Sequence, residues 1–177
     1  MKKLPFILTS ALLTLAAGNG VAATAQVTIN AIDASGVGKK IGSLQLADSA
    51  EGLRIVPRLT SLPPGQHGMH LHANPSCNPA PDPNGQVAPG FAAGGHYDPM
   101  STGKHMGPMN TTGHKGDLPF LTVDANGNAR KAVLAPHLTV AEVKGHAVMI
   151  HAGGDNYSDQ PAPLGGGGAR IACGVVK

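Results

Sequence analysis

Nine histidines stand in a chain of 177 residues that has 13 lysines and arginines and 10 aspartates and glutamates. Their spacing sorts them. His70 and His72 form H-x-H within GMHLHA, a stretch with strand character. Residues two apart in a strand project from one face, so both imidazoles can reach the same metal ion. His146 and His151 lie five apart in HAVMIH, which puts them on opposite faces, and only one can join such a site. His151, beside a glycine-rich loop, is the better placed. The segment GGHYDPMSTGKHMGPMNTTGHKGD (94–117) spaces His96, His105 and His114 nine apart, with Asp117 three residues after the last. A repeat, a His-rich linker and a metal frame all give such spacing, but the flanks of the three histidines do not resemble one another. Three imidazoles and a carboxylate make a closed tetrahedral set that suits structural zinc. A set richer in imidazole, with one position open, suits copper as well. A blue-copper site is excluded, because it needs a thiolate ligand followed shortly by His, and Cys173 is followed only by GVVK. His67, His137 and His146 lack geometric partners and are read as ordinary surface or turn residues.

The elements that must position these side chains are strands. In QVTINAI, Val27, Ile29 and Ala31 alternate with Thr28 and Asn30, as a half-buried strand requires. Similar short segments recur near 41–47, 52–59, 67–72, 119–123, 129–134, 146–151 and 170–176. Between them lie turn signals: Gly36 and Gly38, Pro63-Pro64-Gly65, and Asn126-Gly127 in DANGN, which reads as a hairpin turn. One helical turn fits TVAEVKG, where Thr139 and Glu142 have capping-box spacing and Gly145 ends it. Eight short strands without long helical periods predict an all-β antiparallel sandwich or barrel. Residues 73–118 and 152–169 break the pattern, and the second includes four glycines, Gly165 to Gly168. Loops this long in a compact domain are functional or disordered, and a disulfide and a set of ligands are available to order them.

The first residues, MKKLPFILTSALLTLAAGNGVAA, have a charged start, a short apolar run and small residues, and read as a cleaved signal peptide over 1–23. Cleavage after Ala25 is the alternative. The apolar run is broken too soon by Gly18, Asn19 and Gly20 to span a membrane. The exported domain is then 24–177, with no membrane attachment after cleavage. Losing Lys2 and Lys3 leaves a net charge near +1 from the 13 basic and 10 acidic residues. With no basic run, no Trp and only five Phe and Tyr, nucleic acid is not an expected partner. Two cysteines, Cys77 and Cys173, form an even, minimal pair that reads as one disulfide in an oxidising compartment.

The motifs GMHLH, GGHYDP, GKHMGP, GHKGDLP and GHAVMIHAGGDNYSDQPAPLGGGGARIACGV, with the cysteine pair, resemble the copper–zinc superoxide dismutases, most closely the exported bacterial form. The likeness covers essentially all of 24–177 in order. It implies an eight-stranded Greek-key barrel with two long functional loops, one copper and one zinc per chain, superoxide as substrate, and a periplasmic location. It implies copper on His70, His72, His96 and His151, and zinc on His96, His105, His114 and Asp117, with His96 bridging the two as an imidazolate and moving a proton. Asp155 corresponds to a carboxylate joining His70 to His105, Arg170 to the arginine that guides the anion, and Cys77–Cys173 to the family disulfide.

Some positions depart from that pattern. Met69 stands where an aromatic is usual, and Met100, Met106 and Met109 crowd the zinc loop; these are read as flexible fillers, with a copper-loading role as the alternative. A copper- and zinc-buffering protein without turnover is the rival function, but it has no need of Arg170 or Asp155. A homodimer is left open, since no apolar stripe selects an oligomeric state.

Overall fold

The computed structural model describes residues 22–177. All but the last two residues of the expected signal peptide therefore lie outside the described residues. The strands are β1 (Thr24–Asp33), β2 (Gly36–Ser49), β3 (Gly52–Leu59), β4 (Gly65–His67), β5 (Met69–His72), β6 (Ala80–Pro81), β7 (Val87–Ala88), β8 (Leu121–Val123), β9 (Val133–Ala135), β10 (Ala147–His151) and β11 (Arg170–Val175). Seven of them form one antiparallel sheet in the order β5-β10-β11-β1-β2-β3-β9, while β4 pairs with β8 and β6 with β7. The expected strand at 67–72 is broken at Gly68, so that β4 and β5 join different sheets. Taken as one, they complete the eight strands of a curled Greek-key barrel, and β6–β7 is an added ribbon inside the first long loop.

Alternation builds the core. Val27, Ile29, Leu44, Leu53, Ile55, Leu59, Leu71 and Ile150 are almost wholly buried, and each such side chain contributes roughly 1.5–3 kcal/mol on leaving water. In β1 the period slips. The register shifts around Asn30, so Ile32 is buried where Ala31 was expected and Ala31 is half-buried. An irregularity of this kind flips every later side chain to the other face. Ile32 thereby joins a second small cluster with Ala93, Ala147, Met149 and Cys173, and the loop 73–94 rests on it.

The helical turn is α1 (Val140–Val143), with the Thr139 hydroxyl accepting from the Glu142 amide at 3.3 Å. Gly145 ends the segment in the left-handed region at φ 80°. DANGN does turn, and the Asp124 carboxylate accepts from the Asn126 and Asn128 amides. Backbone bonds close it as a hairpin turn, Gly127 donating to the Asp124 carbonyl at 3.0 Å and Asp124 to that of Asn128 at 2.9 Å, but the flanking strands take other partners: β8 pairs with β4 and β9 with β3.

Candidate metal centre

The register of β5 sets the site. Its side chains alternate between the core, where Met69 and Leu71 are fully buried, and the opposite face, where His70 and His72 lie. The chain carrying His96 and the chain carrying Asp117 run beside that strand. Leu71 donates to the Gly116 carbonyl, Tyr97 to the Leu71 carbonyl and Gly116 to the Tyr97 carbonyl, at 2.8–2.9 Å. This pairing sets His70 opposite Asp117 and His72 opposite His96. A Cβ on Gly116 would stand 2.3 Å from the Leu71 carbonyl, so only glycine allows the approach. His151 ends β10, the neighbouring strand, and its amide donates to Gly68 at 2.9 Å.

Two sets of donors result, and both are buried: His70, His72, His96 and His151, and His96, His105, His114 and Asp117, each with its ligand atoms within 4.8 Å of one another. His96 belongs to both. A third grouping, His70, His105 and Asp155, is accounted for by Asp155 itself, which accepts from His70 Nε2 and His105 Nε2 at 2.7 Å each.

The hydrogen bonds assign the ring tautomers. Carbonyls only accept, so His72 donates from Nδ1 to Gly94 at 2.9 Å and His151 from Nδ1 to Gly168 at 3.0 Å. His70 and His105 donate from Nε2 to Asp155. The opposite nitrogens, His70 Nδ1, His72 Nε2, His105 Nδ1 and His151 Nε2, together with His114 Nδ1, are buried without a hydrogen-bond partner. Unsatisfied buried polar atoms are costly and rare, and here five converge on two points. In the second set, Nδ1 of His96, His105 and His114 lies 3.0, 2.9 and 3.4 Å from Asp117 Oδ1. The edge of a tetrahedron with bonds of about 2.0 Å is about 3.3 Å. The residues fit a tetrahedral metal in the second set and an imidazole-rich metal site in the first.

The electrostatics of the metal-free cluster divide it. Burial pushes His70 down to about 3 and His151 down to about 4, and it also lowers His72 and His96. For His105, burial opposes the charged form, but its bond to Asp155 and the Asp117 carboxylate 2.9 Å from Nδ1 outweigh it and hold the ring up at about 9. The same contacts outweigh burial in Asp117 and Asp155, which sit well below the usual carboxylate range. An unfolded histidine titrates near 6.5, so between about 6.5 and 3 the unfolded chain binds more protons than these lowered rings do. Their contribution is present above pH 6.5 and lost as pH falls; the two carboxylates add a loss below about 4. His105 has the opposite sign, contributing below 6.5 and fading as pH rises through 9. The metal-free protein is therefore expected to show a lower urea midpoint at pH 4.5 than at pH 7; equal midpoints would contradict it.

The glycine run closes the site from above. Gly165 has φ 72°, and a Cβ there would lie 2.0 Å from Asp155 Oδ1 and 2.8 Å from His105 Nε2. The Gly153 amide donates to Gly167 at 2.8 Å, and Asp159 ties the two loops by accepting from the His105 and Leu164 amides. Arg170 opens β11, and its guanidinium donates to Gly90 at 2.7 Å and Gly94 at 2.8 Å. Cys77 and Cys173 are joined as a disulfide, Cα atoms 5.7 Å apart, between the Gly90–Gly94 loop and β11.

Three residues read as ordinary, or not singled out, have defined places. His67 is buried, not on the surface: its Nδ1 is 2.7 Å from the His151 carbonyl and its Nε2 2.8 Å from that of Pro63. His146 is half-buried, with Nδ1 2.9 Å from the Ala73 carbonyl and its ring 4.3 Å from Tyr97. Phe91 lies under Arg170, the guanidinium carbon 5.0 Å from its ring centre. Only His137, of the three histidines set aside, is exposed.

Fold and site together define a class: a metalloprotein on a curled antiparallel barrel, with two donor sets that share one histidine. Residues 40–176 match the family described as copper/zinc superoxide dismutase (SODC). The chain is 50% identical over 169 residues to the copper–zinc superoxide dismutase of Escherichia coli strain K12, covering 94% of this chain and 96% of that one. The structure of the Brucella abortus copper/zinc enzyme matches with a TM-score of 0.85 at 46% identity, covering 88% of this chain and all of that one. The monomeric copper, zinc enzyme of Salmonella enterica matches with a TM-score of 0.78 at 53% identity and the same coverage. The chain belongs to the copper/zinc superoxide dismutase family. It is an oxidoreductase that dismutates superoxide, and copper and zinc are its metals.

Proposed function

We propose that copper is held by His70, His72, His96 and His151, that zinc is held by His96, His105, His114 and Asp117, and that Arg170 guides superoxide to the copper. The observation that carries this reading is the convergence of five buried, partnerless ring nitrogens. Four of the five rings have their other nitrogen fixed by, or placed at, a carboxylate or a carbonyl, the arrangement that orients metal-binding imidazoles.

Two superoxide ions and two protons give one dioxygen and one hydrogen peroxide. When bound, copper supplies the one-electron exchange between its divalent and monovalent states. With both sets filled, His96 would offer one ring nitrogen to each, which would require its imidazolate form. Its Nδ1 lies on the Asp117 side, so Nε2 faces the first set, and it is there that the ring takes up a proton and gives it back to the reduced product. Arg170 spends two of its five N–H groups on Gly90 and Gly94. The remaining three are free to meet an anion, in a half-buried position where its charge is poorly screened.

Protein loaded with zinc alone is expected to show no dismutation by pulse radiolysis, and protein loaded with both metals to be fast. Equal, low rates in the two forms would sink the assignment. Arg170→Ala is expected to slow the reaction by about an order of magnitude at low ionic strength and by less at high salt. Phe91→Leu removes the ring beneath the guanidinium and is expected to give a smaller loss with the same salt trend, while Phe91→Tyr keeps the rate. A Phe91→Leu effect independent of salt would mark that ring as mere packing.

The leader over 1–23 is removed and the domain 24–177 works in the periplasm. The charged, apolar and small-residue order of the leader supports this, as does a disulfide, which persists in oxidising compartments. A mature chain with its N-terminus at Thr24, found by mass spectrometry of the periplasmic fraction, is the expected result. Sedimentation of the metal-loaded protein separates a monomer, the state named for the Salmonella enterica relative, from a homodimer.

A further inference from the structure

We propose that a cavity beside His114 is the door through which zinc enters and leaves the second donor set, and that Asp98 and His137 meet the ion on the way. The inference rests on the reading of His96, His105, His114 and Asp117 as the zinc site. The cavity has a volume of about 440 Å³. His114 and Asp117 line it, whereas His96 and His105 do not. The exposures agree. The His114 side chain is 10% exposed, while those of His96, His105 and Asp117 are at 1% or less.

The other ligands of the set are screened. The glycine run covers His105, so closely that a Cβ on Gly165 would stand 2.8 Å from its Nε2. His96 is packed between the two sets, its ring 4.0 Å from that of His70 and 5.2 Å from that of His114. An ion coming past His96 would first have to cross the copper set. His114 is the ligand that an ion from solvent can reach first.

The walls suit zinc in transit. Asp98 and His137 both line the cavity. Asp98 accepts from the Thr102 hydroxyl at 3.2 Å and the Gly103 amide at 2.8 Å, one bond on each oxygen, so lone pairs remain for an ion. His137 is exposed and lies outside both buried sets, and its Nε2 is 3.5 Å from the Met109 carbonyl, at the outer limit of a hydrogen bond. Carboxylate and imidazole are the donor types that the second set itself offers. Lys115 carries the opposing charge on this wall, but it is paired with Glu142. Two donors cannot compete with four for a tetrahedral ion, so Asp98 and His137 act on the rate of passage and not on the affinity.

The test uses the enzyme with copper and zinc bound, mixed with isotopically labelled zinc, and follows replacement of the bound zinc by elemental mass spectrometry. Zinc affinity is measured separately, by competition with a chromophoric chelator. A group that meets the ion only in passage lowers the barrier for entry and exit alike and leaves the equilibrium where it was. Asp98→Asn and His137→Gln are each expected to slow exchange by about tenfold, with the affinity unchanged. Asp33→Asn, the same loss of charge at the turn between β1 and β2, is expected to exchange at the parent rate. Exchange at the parent rate in the Asp98→Asn/His137→Gln double variant would overturn the door. A matching fall in zinc affinity would overturn it too, by making the two residues ligands. His114→Ala removes a ligand and is expected to lower the affinity. An unchanged affinity in that variant would overturn the reading of the second set, and the door with it.

Discussion

Asp155→Ala is expected to weaken binding of both metals, by about ten- to a hundredfold each, although this carboxylate lies in neither of the two proposed ligand sets. Asp155 accepts from His70 on one oxygen and from His105 on the other, at 2.7 Å each. Each ring belongs to a different set. The carboxylate fixes the proton of each ring on Nε2 and so presents both Nδ1 lone pairs. Alanine removes both anchors. Asp155→Asn should be more selective. Oδ1 also accepts from the Tyr157 amide at 2.8 Å, so the single amide oxygen is held on the His105 side and the NH2 group faces His70 Nε2. Two donors then oppose each other, and His70 relieves the clash by moving its proton to Nδ1, where it blocks the copper set. Chelator competition should therefore find copper weakened more than zinc in Asp155→Asn, and both weakened in Asp155→Ala. Two variants that weaken the metals alike would refute the tautomer assignment.

Much of this site was legible because its residues lie close in sequence and on elements with a clear period. His70 and His72 share a face of a four-residue strand, and HAVMIH offered one usable histidine by parity alone. The roles of Asp155 and Arg170 were different: no spacing rule points to them, and they came from the likeness of whole motifs. The contacts that define them, to residues 50 to 85 positions away, exist only after folding.

What sequence reading missed divides the same way. His67 has the parity of Met69 and Leu71, so period two did place it on the core side; the glycine between them, Gly68, disguised the continuity. Its partner carbonyl on His151, 84 residues away, left no trace in the sequence. The irregularity near Asn30 exchanged Ile32 for Ala31 in the core, and bulges carry no strong residue signature. DANGN has every local feature of a hairpin turn, but β8 and β9 found better partners in β4 and β3. Turn chemistry is local; strand pairing is decided by burial across the whole sheet.

Cys77→Ala with Cys173→Ala is expected to cost about 4–5 kcal/mol in the loop-entropy model, since the bond closes a loop of 96 residues. Alanine is the proper replacement. Cys173 is buried among Ile32, Ala93, Ala147 and Met149, and a serine hydroxyl there would add a desolvation cost unrelated to the cross-link. A loss of that size is a large part of the roughly 5–15 kcal/mol of a typical domain, and for a chain of this length it lowers Tm by roughly 10–20 °C. The disulfide also has a catalytic consequence. Cys77 lies in the loop whose Gly90 and Gly94 carbonyls hold the Arg170 guanidinium, and Cys173 is three residues from Arg170 on β11. Cutting the link frees that loop, so the double variant should dismutate more slowly than the parent and lose part of its salt dependence, as Arg170→Ala does. The Gly94 carbonyl also accepts from His72 Nδ1 at 2.9 Å, so the rates are compared per bound copper. If Tm falls while the rate and its salt dependence stay at the parent values, the loop holds its place without the cross-link, and the disulfide acts on the unfolded chain alone.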